Sequence, residues 1–188
     1  MRLFLLLLAF SVQAAAADRK AWTTLADCRY VAHKNNDGDS FHVRCGAEEF
    51  VLRLYFVDTP ETSLTYGERT RQQAAHFGAT LDETLKAGAK ARVFVRDTLN
   101  TPFVVLTRKA YAQGAANDPR YYGMVQVGGK GLDEILVLAG LARVKGVAVN
   151  IPGGEKARAH SQRLLVLEEH AKQKRRGLWA RISVPGRE

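Results

Sequence analysis

Apolar positions alternate with polar ones on both sides of a short polar segment near the start of the chain, and this pattern predicts a β-hairpin. The strands are predicted at 28–34 and 40–45, and the Asp37-Gly38 pair between them is a strong turn signal. A third strand is predicted at 50–57, where a nearly continuous apolar run is interrupted by Arg53. The strand ends before Pro60, because proline cannot donate a hydrogen bond to a strand ladder.

After Pro60, the spacing of apolar residues changes from the period of a strand to that of a helix. Residues 66–78 predict a helix that ends at Gly78, and Thr80 with Glu83 has the form of a capping box that begins a second helix at 81–99. On a helical wheel the predicted apolar face consists of Leu81, Leu85, Gly88, Val95 and Leu99. Residues 91–95 also have the composition of a strand, so that alternative stays open.

The second half of the chain combines two strands with two helices. Strands are predicted at 102–107 and 121–127, separated by a polar loop, and a turn at 128–129 leads to a short helix at 132–139. A long helix is predicted at 154–176, with Leu164, Leu165, Leu167 and Ala171 toward the core and Gly177 at its end. This order of elements predicts an α+β fold around a small, strongly bent sheet.

The first seventeen residues have the features of a signal peptide. Arg2 precedes an apolar run at 3–12 and a cluster of alanines at 14–17, so cleavage is predicted near Ala15 to Ala17. A membrane anchor is the alternative, but a spanning helix needs about 20 apolar residues. We therefore expect residues 18–188 to form one domain that is secreted or periplasmic, monomeric and not stably associated with a membrane.

The net charge indicates a class of partner, and the two cysteines indicate a disulfide. The chain has 28 Lys and Arg against 19 Asp and Glu, a net charge of +9, which favours polyanionic partners such as nucleic acid. Cys28 and Cys45 face each other if the first two strands pair around their turn, and an exported protein meets oxidising conditions. A disulfide between them is predicted, with two free buried thiols as the alternative.

Two pairs of carboxylates lie at strand ends. Asp37 and Asp39 flank a turn glycine, and Asp58 and Glu61 flank Thr59-Pro60; taken alone, each pair is compatible with an ordinary turn. Arg53 is less easily explained, since a guanidinium in a half-buried strand needs carboxylate or phosphate partners.

Oxygen ligands from Asp39 and Asp58 suit a hard cation such as calcium. His33, His42 and His76 share no spacing typical of metal ligands, so no zinc site is predicted.

Several motifs together resemble the staphylococcal nuclease, or thermonuclease, family. They are DGDSF at 37–41, RLYFVDTPET at 53–62, Tyr66-Gly67-Glu68, DEILVLAGLARV at 133–144 and RRGLW at 175–179. The resemblance spans nearly all of the chain after the predicted signal. It implies an OB-fold, a five-stranded β-barrel with packed helices, that binds calcium and hydrolyses DNA and RNA.

The resemblance also implies roles for individual residues. Asp39, Asp58 and the backbone carbonyl of Thr59 would hold the calcium ion, and Glu61 would be the general base. Arg53 and Arg120 would bind the phosphate.

Two features depart from the family pattern. The usual Tyr-Gly-Arg triplet is replaced by Asp118-Pro119-Arg120, so base preference is not predicted. Arg120 is preferred to Arg108 and Arg143 as the second phosphate ligand, because the family pattern places this arginine at the entry to the strand that is predicted here at 121–127. The helical sequence at 66–99 is longer than the family pattern and receives no predicted role.

The predicted function is an exported, calcium-dependent nuclease with low sequence specificity. One alternative is a non-catalytic OB-fold protein that binds single-stranded nucleic acid. A structural envelope protein is a weaker alternative, because the acidic residues would then have no role. A binding protein has no use for a base beside a metal site, so the residues favour the enzyme.

Overall fold

The computed structural model describes residues 21–112 and 119–181, so the predicted signal peptide and Asp118 lie outside the described residues. Short 3₁₀ helices occur at Leu64–Tyr66 and Gly177–Arg181. The strands and helices, in chain order, are β1 (Thr23–Val31), β2 (Ser40–Cys45), β3 (Glu48–Leu54), β4 (Val57–Asp58), α1 (Gly67–Phe77), α2 (Leu81–Thr98), β5 (Phe103–Tyr111), β6 (Arg120–Val127), β7 (Lys130–Gly131), α3 (Leu132–Leu138), β8 (Arg143–Val144) and α4 (Ala157–Gln173).

Five strands form a closed ring. Neighbours pair in the order β3-β2-β1-β5-β6, and β3 closes the ring by pairing in parallel with β6, from Val51 opposite Arg120 to Leu54 opposite Gly123. With its packed helices, this ring confirms the predicted OB-like α+β fold. Alternate side chains point inward, and the buried interior includes Phe41, Val43, Phe50, Leu52, Val105 and Val125.

The first hairpin has the predicted register. Arg29 lies opposite Arg44 and Tyr30 opposite Val43, and Cys28 forms a disulfide with Cys45 across a Cα–Cα distance of 4.3 Å. The disulfide prediction is therefore confirmed. It joins β1 to the end of β2, while the opposite end of β2 begins next to Asp39.

The predicted strand at 50–57 is wrong in one respect, because the chain bends before its end. β3 stops at Leu54, and Phe56 has a φ of 67°, which interrupts the ladder while its side chain stays buried. The chain resumes as β4, where Val57 pairs with Val144 and Asp58 pairs with Arg143 of β8. The bend thus moves Asp58 from the barrel sheet into a separate two-stranded ladder.

Helices α1 and α2 begin and end close to where the sequence signals predict. Gly78 ends α1 with a φ of 63°, and Thr80 and Glu83 form the capping box of α2, which excludes the strand alternative. The predicted apolar face of α2 is partly wrong: Leu81 is 39% exposed, and small residues such as Ala87 and Ala91 are buried instead. A Cβ atom at Gly88 would lie 2.2 Å from the Glu61 carbonyl oxygen, so glycine lets α2 approach the site.

The remaining elements differ from prediction mainly at their ends. β5 extends to Tyr111 rather than 107, and α4 spans Ala157–Gln173 rather than 154–176. In α4, Leu164 and Ala171 are buried as predicted, but Leu165 is 49% exposed. None of the helices among the described residues is long and apolar enough to cross a membrane.

Candidate active site

Arg53 joins two buried carboxylates at one end of the barrel. From β3 its Nη1 atom lies 2.7 Å from Oδ1 of Asp39, and its Nη2 atom lies 3.5 Å from Oδ1 of Asp58. Both aspartates are buried. The guanidinium therefore has the carboxylate partners that its place in an apolar strand requires.

The turn before β2 separates the roles of its two aspartates. Asp37 accepts hydrogen bonds from the backbone N–H groups of Asp39 (3.0 Å) and Ser40 (2.6 Å), so it is a turn residue. Asp39 instead accepts a hydrogen bond of 2.9 Å from the Thr59 N–H. This bond fastens the start of β2 to the segment after β4.

The guanidinium of Arg69 contacts three carboxylates, those of Asp39, Asp58 and Glu61. From α1 it donates to Oδ1 of Asp58 through Nε (3.0 Å) and Nη2, and its Nη1 lies 3.0 Å from Oε1 of Glu61. Its Nη2 is also 3.7 Å from Oδ2 of Asp39. We call Asp39, Asp58 and Glu61 the acid cluster. Arg69 was not predicted as a site residue.

Gln73, one helical turn after Arg69, was also missed. Its buried amide donates to Oδ2 of Asp58 (3.0 Å) and to the Thr59 carbonyl (2.8 Å), and its Oε1 accepts from the Glu61 N–H (2.9 Å). Residues four apart share one face of a helix, and this spacing is the signal that the sequence held. The extra helical sequence therefore supplies α1, which organises the 58–61 segment.

Arg143 reaches Asp58 from β8. Its Nε donates to Oδ2 of Asp58 over 2.7 Å, and its side chain is buried. Its Nη2 atom is buried and has no hydrogen-bond partner among the residues that the structure describes. Arg108 lies elsewhere, with its guanidinium 5.8 Å from the centre of the Trp22 ring.

Arg120 stands at the first residue of β6, beside Arg53. Its Nη2 donates to the Ser40 hydroxyl, which also accepts a hydrogen bond of 3.4 Å from Nη1 of Arg53. The two guanidinium groups therefore converge on one oxygen. Burial and the neighbouring charge of Arg53 lower the pKa of Arg120, which indicates that an anion is favoured here.

Burial acts to raise the pKa of each of the three carboxylates, but neighbouring charges and hydrogen bonds make the net shifts differ. It raises the pKa of Asp39 to about 7, because repulsion from Asp37 and Asp58 adds to desolvation and Arg53 only partly offsets them. Burial also raises the pKa of Glu61, against the attraction of Arg69. For Asp58, the attraction of Arg69, bonding by Gln73 and the attraction of Arg143 outweigh burial and lower the pKa.

The donor chemistry of the acid cluster fits a divalent cation. Nη2 of Arg69 places one positively charged group between Asp58 and Asp39, so the two carboxylates can face a single cation. The Thr59 carbonyl accepts from Gln73 and retains a second lone pair. No group of three or more His, Cys, Asp or Glu side chains within 21–112 and 119–181 is arranged to hold a metal ion. Calcium would therefore need backbone and water oxygens as well.

A cavity of about 560 Å³ adjoins the acid cluster between α1 and β8. Asp58 and Arg143 line it from β4 and β8, and Arg69 and Gln72 line it from α1, with Tyr66 also in its lining. Glu68 also borders this cavity, but its side chain is exposed and pairs with Arg71 at 2.9 Å.

Comparison with known proteins gives one family. The family model described as staphylococcal nuclease homologue matches residues 51–181, well over half of the chain. The matched range includes Arg53, Glu61 and Arg120, and it begins after Asp39. A search of curated proteins found no match.

Proposed function

Because the chain belongs to the staphylococcal nuclease homologue family, we propose that it is a calcium-dependent nuclease that hydrolyses DNA and RNA with low sequence specificity. Proteins of this family are typically nucleases and generally depend on calcium, and the domain indicates a nuclease-like or nucleic-acid-binding function. The observation that carries the proposal is the position of the acid cluster directly beside Arg53 and Arg120.

The reaction needs charge compensation and a base. A phosphodiester repels an incoming nucleophile, so the transition state is stabilised by donors already in place. Arg53 and Arg120 would supply paired hydrogen bonds to the phosphate oxygens. Glu61 would accept the proton of the attacking water, and burial raises its pKa toward that role.

Asp39, Asp58 and the Thr59 carbonyl would hold the calcium ion, which supplies Lewis-acid stabilisation when bound. Gln73 would keep this ligand set in place, since it bonds to both Asp58 and Thr59.

A non-catalytic nucleic-acid-binding protein is the second candidate. The specific observation in its favour is the ion pair between Glu61 and Arg69, because a paired carboxylate is a poorer proton acceptor. Binding without cleavage would then depend on Arg53, Arg120 and the positive net charge.

The proposal includes export. The signal-like segment at 1–17 and the Cys28–Cys45 disulfide both support an oxidising compartment, either the periplasm or the exterior. Residues 18–188 would then act as one monomeric nuclease domain.

The decisive experiment is cleavage by the purified protein without its first 17 residues. Supercoiled plasmid, single-stranded DNA and RNA are each incubated with calcium or with a calcium chelator. We expect cleavage of all three with calcium and none with chelator, while circular dichroism shows an unchanged fold. Magnesium should support less activity, because it demands tighter octahedral geometry.

Other results would decide against the proposal. Full activity in chelator would exclude a metal role for Asp39 and Asp58. Retarded migration of DNA in a gel with no cleavage under any condition would favour the binding protein.

A further inference from the structure

Arg69 places a positive charge against all three carboxylates of the acid cluster. Its Nη2 atom is hydrogen-bonded to Asp58 and lies 3.7 Å from Asp39, while its Nη1 atom lies 3.0 Å from Glu61. We propose that Arg69 is an internal cation that competes with the metal for the acid cluster and thereby sets metal affinity. This inference rests on the proposed function, because it assumes that the acid cluster binds a divalent ion.

The contacts of Arg69 differ from those of an ordinary helix arginine. Arg71, two residues later on α1, pairs with Glu68 of the same helix at the surface. Arg69 instead reaches across to β4 and to the segments before β2 and after β4, and its side chain is only 33% exposed. The surrounding carboxylates, led by Asp58, outweigh burial and raise the pKa of Arg69, so the guanidinium stays charged.

The two cations exclude one another. A metal ligated by both Asp39 and Asp58 would need a place against the carboxylates that Nη2 of Arg69 contacts, and two positive charges beside one buried carboxylate repel each other strongly. Metal binding therefore requires the guanidinium to withdraw from the acid cluster.

The structure provides both the space and the remaining support for this withdrawal. Arg69 borders the cavity of about 560 Å³, which lies beside Asp58. Asp58 keeps its bonds from Arg143 and Gln73 when Arg69 leaves, and Asp39 keeps Arg53 and the Thr59 N–H. The ligand set thus does not depend on Arg69 for its arrangement.

One movement would also release the base. Nη1 of Arg69 holds the Glu61 carboxylate, so the withdrawal that opens the metal position also frees Glu61 to accept a proton. Metal binding and activation of the base are thereby coupled through a single side chain.

Calcium titration calorimetry tests the competition without measuring cleavage. Arg69→Met removes the charge and keeps an unbranched chain, and Arg71→Met is the matched control on the same helix. If the engaged state of Arg69 makes up 90% of the metal-free protein, the apparent dissociation constant is raised about tenfold. We therefore expect Arg69→Met to bind calcium about tenfold more tightly than the wild type, and Arg71→Met to match the wild type.

Thermal unfolding gives a second readout. Calcium should raise the Tm of Arg69→Met by more than it raises that of the wild type, because tighter binding to the folded state stabilises it more. If Arg69→Met does not fold without metal, Arg69→Gln keeps amide donors near the acids and allows the same comparison.

The outcomes separate this inference from the proposed function. Equal or weaker calcium binding by Arg69→Met, with calcium-dependent cleavage by the wild type, overturns the inference alone. If neither protein binds calcium, both the inference and the metal role fail. Tighter binding by Arg69→Met with no cleavage by any variant supports the inference and overturns the nuclease proposal.

Discussion

Glu61 is the member of the acid cluster best placed to meet water. Its side chain is 11% exposed, compared with 1% for Asp39 and 5% for Asp58. A base needs both proximity to the reacting water and a free carboxylate in the reactive state. This difference supports the proposed roles, which are ligation for the two aspartates and proton transfer for Glu61.

We expect Glu61→Gln to lower the turnover number by roughly 10²- to 10⁴-fold, the range typical of general-base loss. DNA affinity, measured by fluorescence anisotropy in calcium, should change little because the amide keeps the same size. Glu68→Gln is the control, since Glu68 pairs with Arg71 at the surface. Normal turnover in Glu61→Gln combined with a large loss in Glu68→Gln would move the base to Glu68.

Lysine substitution is expected to have different effects on catalysis at Arg120 and at Arg108. Arg120 shares the Ser40 hydroxyl with Arg53, whereas Arg108 lies over Trp22. We expect Arg120→Lys to lower kcat/KM by about 10²-fold, because lysine cannot give paired hydrogen bonds to the phosphate. Calcium affinity should be retained, and Arg108→Lys should stay near wild type. The reverse ranking in steady-state kinetics would show that Arg108 is the phosphate ligand.

At this scale the sequence reveals residues whose chemistry conflicts with their surroundings. Arg53 stands out because a charge interrupts an apolar strand, and its carboxylate contacts agree with that expectation. Arg69 and Gln73 do not stand out, because polar residues on a helix ordinarily face solvent. Only the packing of α1 against β4 reveals that their shared face is directed at the acids.

At the scale of elements, α2 lies close enough to the backbone of Pro60 and Glu61 for one methyl group to matter. A Cβ atom at Gly88 would come within 2.2 Å of the Glu61 carbonyl and 2.6 Å of the Pro60 carbonyl. Backbone cannot move aside as a flexible side chain can. The position of Glu61 therefore depends on a glycine in a helix that does not itself supply a predicted ligand.

We expect Gly88→Ala to lower the free energy of unfolding by about 1–3 kcal/mol, the usual cost of overpacking. Turnover should also fall, because the Glu61 backbone must shift. Gly67→Ala is the matched control: within the described part of the chain, its Cβ would meet only the Arg71 side chain, at 3.8 Å. Urea denaturation would measure the free energy of unfolding of both variants. A Gly88→Ala protein as stable as Gly67→Ala would contradict this account of the packing.

The sequence predicts that these helices and strands exist, but it does not predict which of their faces is buried. Helix α2 has a capping box and helical period, yet its buried face is built from small residues such as Ala87 and Ala91 rather than Leu81. Small residues carry little hydrophobic signal, and they are buried because they permit close approach. Likewise, nothing local predicts that Phe56 takes a positive φ and ends β3 early.

At the scale of the whole molecule, the parallel pair of β3 and β6 creates the site. It aligns Arg53 with Tyr122 and sets Arg120 beside Val51, bringing together residues far apart in the chain. Periodicity alone predicts strands and a bent sheet but cannot specify which strands close a ring. The family motifs predicted the barrel, and the ring explains why two distant arginines converge on Ser40.

The disulfide stabilises this ring at a distance from its chemistry. Cys28 and Cys45 are 17 positions apart, so their bond should contribute about 3 kcal/mol by restricting the unfolded chain. Cys45 ends β2, and Ser40 begins it, so the bond lies roughly 17 Å along the strand from the site. We expect reductant to lower the Tm of the wild type while plasmid cleavage at 25 °C stays nearly unchanged.

The double variant Cys28→Ser with Cys45→Ser provides the control for this prediction. It should show the lower Tm in either buffer and no response to reductant, because it has no bond to lose. If the double variant unfolds at the same temperature as the oxidised wild type, the bond contributes nothing to stability. If reduction abolishes cleavage in a folded wild type, the end of β2 that carries Cys45 is coupled to Ser40, and the barrel transmits strain along this strand.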